Sequence, residues 1–188
     1  MSNNLKNRNK TDDFWTDYRL DNEITFCYNT EKPIYKNDKE MKIMIREINR
    51  TDKNFFISSC EDFYSSPAVI HSVPKQNFEK TFDLLMAKTP YARCFICEKD
   101  GERVAYFLLA VTYSNECGGI VIWGEEMYVK PEFRSHGIGR EFFSYVENEY
   151  KDVAKRFRLE VTEENTRAAA LYEKLGYGHL DYLQMIKE

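Results

Sequence analysis

Apolar and polar residues alternate with a period of two in several stretches of the chain, a pattern that predicts β-strands. The first stretch is "MKIMIRE", residues 41–47, in which Ile43 and Ile45 lie on one face. Three more follow, namely "RCFICE", "RVAYFLLAVTY" and "IVIWGEEMYV", separated by the turn sequences "KDGE" and "SNECGG". Because short turns join antiparallel neighbours, these three strands are expected to form a meander.

A helical period of three to four residues appears in four other stretches. The predicted helices occupy residues 51–64, residues from 74 onward, residues 138–155 and residues 165–176. Thr51 is the expected cap of the first helix, Pro74 the first residue of the second, and Gly176 the terminator of the fourth. Two further strand segments are predicted, "FRLEVT" before the fourth helix and a strand pair near residues 177–187.

This order of strands and helices predicts a mixed α/β (α+β) sheet. Residues 1–40 are rich in Asn, Asp and Lys and are expected to form a loosely structured extension. Residues 41–188 are expected to form a single domain, because a chain of 188 residues suits one core.

The overall composition argues against several classes of partner. The net charge is −4 and the pI about 5.6, so no chain-wide basic field attracts nucleic acid or an anionic membrane. No stretch reaches the ~20 apolar residues of a membrane span, and the opening "MSNNLKNRNKTDD" has no apolar signal-peptide core. The expected location is the cytoplasm, and the acidic character favours a cationic small-molecule partner.

The cysteines number five, at positions 27, 60, 94, 97 and 117, an odd and scattered set that does not suit a disulfide framework. Cys94 and Cys97 form a CxxC. Residues three apart in a strand face opposite sides, however, and no second pair of ligands with zinc spacing follows. We therefore expect ordinary strand cysteines and no metal.

The segment "YVKPEFRSHGIGREFF", residues 128–143, joins a predicted strand to a predicted helix and has the features of an anion site. Gly137 and Gly139 let backbone N–H groups approach an anion without obstruction by a Cβ atom. Arg134 and Arg140 add charged donors, and the helix start adds the positive end of its dipole. A glycine-rich turn without a ligand is the alternative interpretation of the bare motif.

Two common phosphate-binding motifs do not fit this segment. A P-loop needs Lys and Ser or Thr after its last glycine, and Gly139 is followed by neither. A dinucleotide fingerprint needs a third glycine where Phe142 stands. What remains is the pattern (Q/R)xxGxG, formed by Arg134, Gly137 and Gly139.

The stretches "EEMYVKPEFRSHGIGREFFSYV" and "EVTEENTRAAALYEKLGY" resemble the two central motifs of the GNAT superfamily of acyl-CoA N-acyltransferases. The resemblance follows the element order over roughly residues 41–188 and is specific from about 120 to 178. It implies the GNAT fold, a mixed central sheet flanked by about four helices, in which two parallel strands splay apart to admit a thioester. Those strands are "IWGEEMYV" and "FRLEVT", and Gly124 is the expected position of a bulge that helps the splay.

The resemblance also implies acetyl-CoA as co-substrate. Family members bind the coenzyme A pyrophosphate through the first motif and pair the pantetheine arm with the preceding strand. The matching residues are Arg134, Ser135, His136, Gly137, Ile138, Gly139 and Arg140 in the loop, and Met127, Tyr128 and Val129 in the strand. Ser135 departs from the glycine that is common in the family. Asn165 matches a residue that contacts the arm, with a pure helix cap as the alternative, and Ala168 leaves room for a ligand.

Three residues are candidates for the chemistry. An amine with a pKa near ~10.4 is almost wholly protonated at pH 7, a cost of about 4.6 kcal/mol, so acyl transfer gains from a base. Glu125 and Glu126 interrupt an apolar strand near its carboxyl end, where two solvated charges are the alternative interpretation. Strand parity does not choose between them, whereas a resemblance to diamine and polyamine acetyltransferases favours Glu125. Tyr172 matches the family residue beside the thioester sulfur, where a phenol can protonate the departing thiolate, with a buried aromatic anchor as the alternative.

The acceptor cleft of the family lies near the first two helices and their connecting loop, which is "FYSSPAVIHSVP" in this chain. Tyr64, Ser65 and His71 are the candidate lining residues, and His71 is equally explained as a surface residue. A small cationic primary amine is the expected acceptor, attacking acetyl-CoA directly in a ternary complex. Protein amines as acceptors and a silent acyl-CoA sensor or interaction module are the alternatives. A homodimer is compatible with the sequence.

Overall fold

A single five-stranded sheet organises the computed structural model, which describes residues 43–66, 69 and 71–187. In spatial and chain order the strands are β1 (Ile43–Glu47), β2 (Ala92–Lys99), β3 (Glu102–Ser114), β4 (Gly119–Val129) and β5 (Ala154–Leu159). The first four are antiparallel neighbours, as the short turns predict, and β4 and β5 are parallel. The predicted mixed sheet is confirmed.

Four α-helices accompany the sheet: α1 (Lys53–Tyr64), α2 (Lys75–Met86), α3 (Ile138–Tyr150) and α4 (Thr166–Lys174). On one face, α1 and α2 enclose a core that includes Tyr106 and Leu108 of β3. On the other face, Phe142 and Phe143 of α3 contact Phe107, with ring centroids 5.7 and 5.1 Å apart. Successive residues of β3 therefore serve two opposite layers, as strand alternation requires.

The start of α1 differs from the prediction that Thr51 caps the helix. A short 3-10 turn, Arg50–Asp52, precedes α1, and Asn49 caps this turn by accepting the Thr51 N–H at 2.9 Å. Asp52 accepts the Asn49 N–H at 2.8 Å, which completes a reciprocal capping box. Asn is a stronger cap than Thr, so the earlier residue takes the role. Pro74, expected as the first residue of α2, is instead its N-cap.

The carboxylate of Asp52 is fully buried and is held by arginines from two strands. Arg46 of β1 donates to both of its oxygens at 2.7 and 2.9 Å, and Arg103 of β3 donates at 2.6 Å. Burial raises the pKa of Asp52, but the hydrogen bonds from Arg46, the Asn49 N–H and Arg103 outweigh it, so the pKa lies below its ordinary value. These ion pairs join the sheet to the start of α1.

The carboxyl-terminal third departs from the prediction in two places. Helix α3 ends at Tyr150 rather than Lys155, because Ala154 already pairs with Ile120 and backbone pairing overrides the helical pattern. The strand pair expected near 177–187 does not form among the described residues, where Leu183 and Met185 are 95% and 92% exposed. A segment that buries no apolar face lacks the burial that offsets the entropy cost of an ordered strand.

Three further expectations bear on the rest of the chain. The predicted extension over residues 1–40 lies outside the described residues. Within the described ranges, no helix is long and apolar enough to cross a membrane, and no group of three metal-binding side chains occurs. Cys94 and Cys97 are fully buried free thiols in β2.

Candidate active site

Strands β4 and β5 separate halfway along β4. Their pairing runs from Ile120 opposite Ala154 to Gly124 opposite Leu159, and residues 126–129 pair with β3 alone. A backbone edge of β4 is thereby left open beside the carboxyl end of β5. This region, bounded by residues 125–129 and the end of β5, is called the β4–β5 opening below. It is the splay that the GNAT resemblance implies.

The bulge in β4 lies one residue beyond its predicted position at Gly124. Leu108 pairs with Glu126 and Leu109 pairs with Gly124, so Glu125 has no opposite residue on β3. Gly124 is instead required for packing, because a Cβ atom at this position would lie 3.2 Å from the ring of Phe107. Bulges redirect side chains, and here the redirected one is a carboxylate at the β4–β5 opening.

The backbone of Val129 faces the β4–β5 opening. The N–H of the next residue, Lys130, donates to Val104 of β3 at 2.9 Å, and successive residues of an antiparallel strand point to opposite edges. The Val129 carbonyl accordingly accepts a hydrogen bond from Nε of Arg134 at 2.9 Å, away from β3. The N–H of Val129 is therefore a donor available at the opening.

The two side chains before Val129 lie on opposite faces of the sheet. The Met127 thioether lies beside Gly139 of α3, where an added Cβ would be 3.3 Å from its Cε. Tyr128 is buried on the side of α1 and donates its hydroxyl to Asp62 at 3.0 Å. Glu126, one residue before Met127, therefore lies on the α1 face with Tyr128.

The loop before α3 contains two residues in the left-handed backbone region. Ser135 and Gly137 have φ values of 69° and 82°. Left-handed residues are a feature of backbone loops that bind anions through their N–H groups. Arg134, His136 and Arg140 are exposed, whereas Ile138 is buried and anchors the loop to the core. The structure thus assembles the predicted loop residues in one place.

Gly139 is needed for packing, a role that the motif does not reveal. A Cβ atom at this position would lie 3.0 Å from Cδ2 of Leu171 in α4 and 3.3 Å from Met127. Glycine therefore lets α3, α4 and β4 approach one another closely beneath the loop.

Arg167 is a binding candidate that sequence reasoning missed. It lies in the first turn of α4 and donates from Nη2 to Oγ of Ser135 at 2.8 Å. A guanidinium from α4 thus reaches the loop that already carries Arg134 and Arg140. The signal in the sequence was an arginine two residues after Asn165 in the second motif.

Helix α4 presents the remaining predicted residues. Asn165 accepts the N–H of Ala168 at 3.3 Å, so its side chain serves as the helix cap. Tyr172 packs edge-on against Phe143 of α3 at 5.4 Å. Burial raises the pKa of Tyr172, which keeps the phenol protonated at neutral pH. Its hydroxyl has no hydrogen-bond partner among the residues that the structure describes.

Glu126 is held by two tyrosine hydroxyls. Tyr64 of α1 donates to Oε1 and Tyr106 of β3 donates to Oε2, each at 2.7 Å. Burial raises the pKa of Glu126, and the two hydrogen bonds oppose that rise. Tyr106 was not predicted as a site residue, although a tyrosine in the apolar run "VAYFLLAV" was an available signal.

Glu125 has a different environment from that of its neighbour. Its side chain is exposed and has no hydrogen-bond or ion-pair partner among the described residues. Glu125 nevertheless loses part of its hydration to the surrounding protein, and this desolvation, followed by the charges of Glu126 and Glu160, raises the pKa of Glu125. A carboxyl with a raised pKa and no fixed partner is suited to exchange protons.

The three predicted acceptor residues differ in their contacts. Tyr64 reaches Glu126, as described above. The hydroxyl of Ser65 instead donates to the carbonyl of Glu61 at 2.7 Å, within the last turn of α1. His71 is exposed. Tyr64 is therefore the one of the three that the described residues connect to the strand carboxylates.

The fold and the loop together define the class of protein. The family model described as "Acetyltransferase (GNAT) family" matches residues 53–177, two thirds of the chain. The chain therefore belongs to the GNAT acetyltransferase family, as the two motifs predict.

Curated relatives and solved structures agree with this assignment. A thialysine N-ε-acetyltransferase from Bos taurus is 36% identical over 98 residues, and that from Sus scrofa is 35% identical. The alignment covers 47% of this chain and 57% of each relative, so the chain spans little more than half the length of the curated relatives it matches.

Among solved structures, a possible acetyltransferase from Clostridium difficile 630 superposes with a TM-score of 0.69 at 23% identity, covering 78% of this chain and 97% of that one. The aminoglycoside N-acetyltransferase AAC(6')-Iy in complex with coenzyme A gives a TM-score of 0.66 at 16% identity, covering 79% and 95%. At these identities the likeness shows the fold.

Proposed function

We propose that this protein is an N-acetyltransferase that moves the acetyl group of acetyl-CoA to the primary amine of a small cationic acceptor. The observation that carries the proposal is the β4–β5 opening, where an anion-type loop, an available backbone donor and two carboxylates adjoin one length of strand. The curated relatives are named for acetylating thialysine, which carries a primary amine, and this supports the amine class.

The loop before α3 would hold the coenzyme A pyrophosphate. Backbone N–H groups around the left-handed residues Ser135 and Gly137 supply neutral donors, and Arg134, Arg140 and Arg167 supply charged ones. The pantetheine arm would then lie along residues 127–129, with Asn165 and Ala168 bordering it from α4. This arrangement directs the thioester toward Glu125 and Tyr172.

The reaction is a direct attack within a ternary complex. Glu125 takes a proton from the acceptor ammonium, through water or directly, and the neutral nitrogen attacks the thioester carbonyl. The Val129 N–H stabilises the negative oxygen that develops. As the carbon–sulfur bond breaks, Tyr172 protonates the thiolate, which leaves as coenzyme A. The nitrogen gives up its second proton, which returns through water to the Tyr172 phenolate, and the acceptor keeps the acetyl group as an amide.

The proposed activity can be tested by calorimetric titration with acetyl-CoA, coenzyme A and ATP, followed by thiol release with a panel of amines that includes thialysine. We expect both coenzyme A species to bind, ATP to bind weakly, and thiol release to depend on the amine. Binding without release from small amines or protein amines would instead favour an acyl-CoA sensor. Absence of coenzyme A binding would contradict the proposal.

Replacing Gly137 by valine should weaken acetyl-CoA binding by about 10- to 100-fold, which corresponds to the loss of one hydrogen bond to a charged group. Gly137 has a φ of 82° and open space around its Cβ position, so the change strains the backbone without a steric clash. A β-branched residue drives the loop out of this conformation and misdirects its N–H groups. Calorimetry with acetyl-CoA measures the loss.

Gly101→Val is the matched control for Gly137→Val. Gly101 lies in the β2–β3 turn with a φ of 87° and equally open surroundings. Both variants should lose a similar stability, about 1–2 kcal/mol, and only Gly137→Val should lose acetyl-CoA affinity. Equal affinity losses in the two variants would show that strain, rather than the loop, is responsible.

A further inference from the structure

Two carboxylates of the described structure differ in burial and in partners: Asp52 is fully buried, whereas Glu126 is partly exposed. Asp52 is surrounded by Arg46 and Arg103, so its charge is balanced within the protein. Glu126 is held by Tyr64 and Tyr106, which are neutral donors, and no cationic side chain contacts it among the described residues. Partial burial makes an ionised carboxylate costlier when no counter-charge lies beside it. The described chain gives Glu126 no such counter-charge, and its partial exposure leaves it within reach of a cation from outside.

Aromatic packing holds in place the two tyrosines that donate to Glu126. The ring of Tyr64 stacks on Phe78 of α2 at 5.3 Å. Tyr106 is fully buried and packs edge-on against Phe56 at 5.3 Å. Neither hydroxyl is free to turn elsewhere without disturbing these aromatic contacts, so both stay aimed at the carboxylate. A carboxylate has about four acceptor sites, and two hydroxyls leave room for a further donor.

The missing donor fits an ammonium group better than a metal ion. No group of three metal-binding side chains occurs in the described part of the chain, and tyrosine hydroxyls are not among the oxygen donors typical of Mg²⁺ or Ca²⁺ sites. An ammonium offers three N–H donors and tolerates a site with open positions. Tyr64 also ends α1, at the start of the loop that the family resemblance places at the acceptor cleft.

We propose that Glu126 anchors the acceptor as its protonated ammonium, and that Tyr64 and Tyr106 are positioning residues that keep this carboxylate oriented and charged. The inference rests on the proposed function and assigns separate tasks to the adjacent carboxylates. Glu126 binds the charged amine that predominates at neutral pH, and the partnerless Glu125 receives the proton before attack. Glu126 therefore selects acceptors that carry a positively charged ammonium group.

The thiols and phenols that face Glu126 have raised pKa values, so they titrate at higher pH than a carboxyl. Cys60 of α1 and Cys94 of β2 face the site, and burial raises the pKa of Cys60 to about 12 and the pKa of Cys94 well above its ordinary value. Burial likewise raises the pKa of the Tyr64 and Tyr106 phenols. These thiols and phenols therefore stay protonated while Glu126 titrates. The carboxyls that lie near these groups are Glu125 on β4 and Glu61 and Asp62 on α1.

The first test measures the carboxyl of Glu126 itself, by ¹³C NMR of glutamate-labelled full-length protein. Tyr64→Phe removes a donor to the anion, so the pKa of Glu126 should rise, whereas Tyr113→Phe should leave it unchanged. Tyr113 is an exposed β3 residue, 57% accessible, and loses the same hydroxyl. Titration with 1-aminopropane hydrochloride should shift the Glu126 signal in the wild type, whereas 1-propanol should not. No shift with the amine, or an equal shift with the alcohol, would overturn the proposal.

The second test uses kinetics with the best amine of the panel. Glu126→Gln should raise KM for the amine by about 10- to 100-fold, with smaller changes in kcat and in KM for acetyl-CoA. In Tyr64→Phe, the acid limb of the amine KM profile should move to higher pH, because the carboxylate loses its charge earlier as pH falls. A fall in kcat alone would assign Glu126 to proton transfer and contradict the anchor. If no amine supports thiol release by the wild type, the proposed acetyltransferase function is wrong. The NMR titration with 1-aminopropane then still tests whether Glu126 binds an ammonium group.

Discussion

Replacing Tyr172 by phenylalanine is expected to lower kcat by about 100-fold or more, the range found when a general acid is removed. The change deletes one hydroxyl and retains the ring that packs against Phe143 at 5.4 Å. Burial raises the pKa of this phenol, so the wild type holds the proton needed by the departing thiolate across neutral pH. Thiol release under saturating acetyl-CoA and amine measures the effect.

Tyr177→Phe is the matched control for this experiment. Tyr177 contacts the same Phe143 ring, with centroids 5.5 Å apart, and loses the same atom. Its kcat should stay near that of the wild type, and both variants should bind coenzyme A as tightly as the wild type does. Equal loss of kcat in both variants would mean that the hydroxyls act on packing around Phe143, and Tyr172 would then have no role as the acid.

A second large effect concerns stability rather than catalysis. Asp52→Asn should lower the free energy of unfolding by about 3–5 kcal/mol, because it leaves Arg46 and Arg103 without their buried counter-charge. Glu102→Gln removes an ion pair to Lys130 at 2.6 Å, in which Glu102 is 56% exposed, and should cost about 0–1 kcal/mol. Urea unfolding at pH 7 measures both. Similar losses in the two variants would contradict the view that burial makes the Asp52 pairs decisive.

The same carboxylate predicts how stability depends on pH. Its pKa in the folded protein lies below the ordinary value of 3.8, so its contribution is complete above that value and is lost as pH falls through the folded pKa. Between pH 7 and the acid range, the stability difference between the wild type and Asp52→Asn should therefore shrink. A difference that stays constant down to the acid transition would show that the charge of Asp52 is not the cause.

The parts of the fold that follow from local pattern were predictable. Alternation and short turns indicated the meander of β2, β3 and β4, and Gly176, with a φ of 90°, ends the last helix as its position suggests. The loop before α3 was visible as a candidate anion site because its glycines and arginines are contiguous in sequence.

The parts that depend on distant residues were not predictable. Tyr64 and Tyr106 lie 62 and 20 positions from Glu126, and sequence parity left open which carboxylate they would meet. The bulge at Glu125 depends on the register with β3, which no local pattern encodes. The end of α3 was mistaken because β4 recruits Ala154 into the sheet, a long-range pairing that competes with helical periodicity.

Strand β4 offers a ligand the same backbone surface that a neighbouring strand would use. Along residues 126–129 its hydrogen bonds on one side are made to β3, and no described strand lies on the other side. Extended chains with amide groups bind such edges by adding themselves to the sheet. The pantetheine arm is such a chain, so coenzyme A would act as a removable sixth strand. Its binding would complete the hydrogen bonding of the sheet, and its affinity would depend on the backbone of β4 more than on any side chain there.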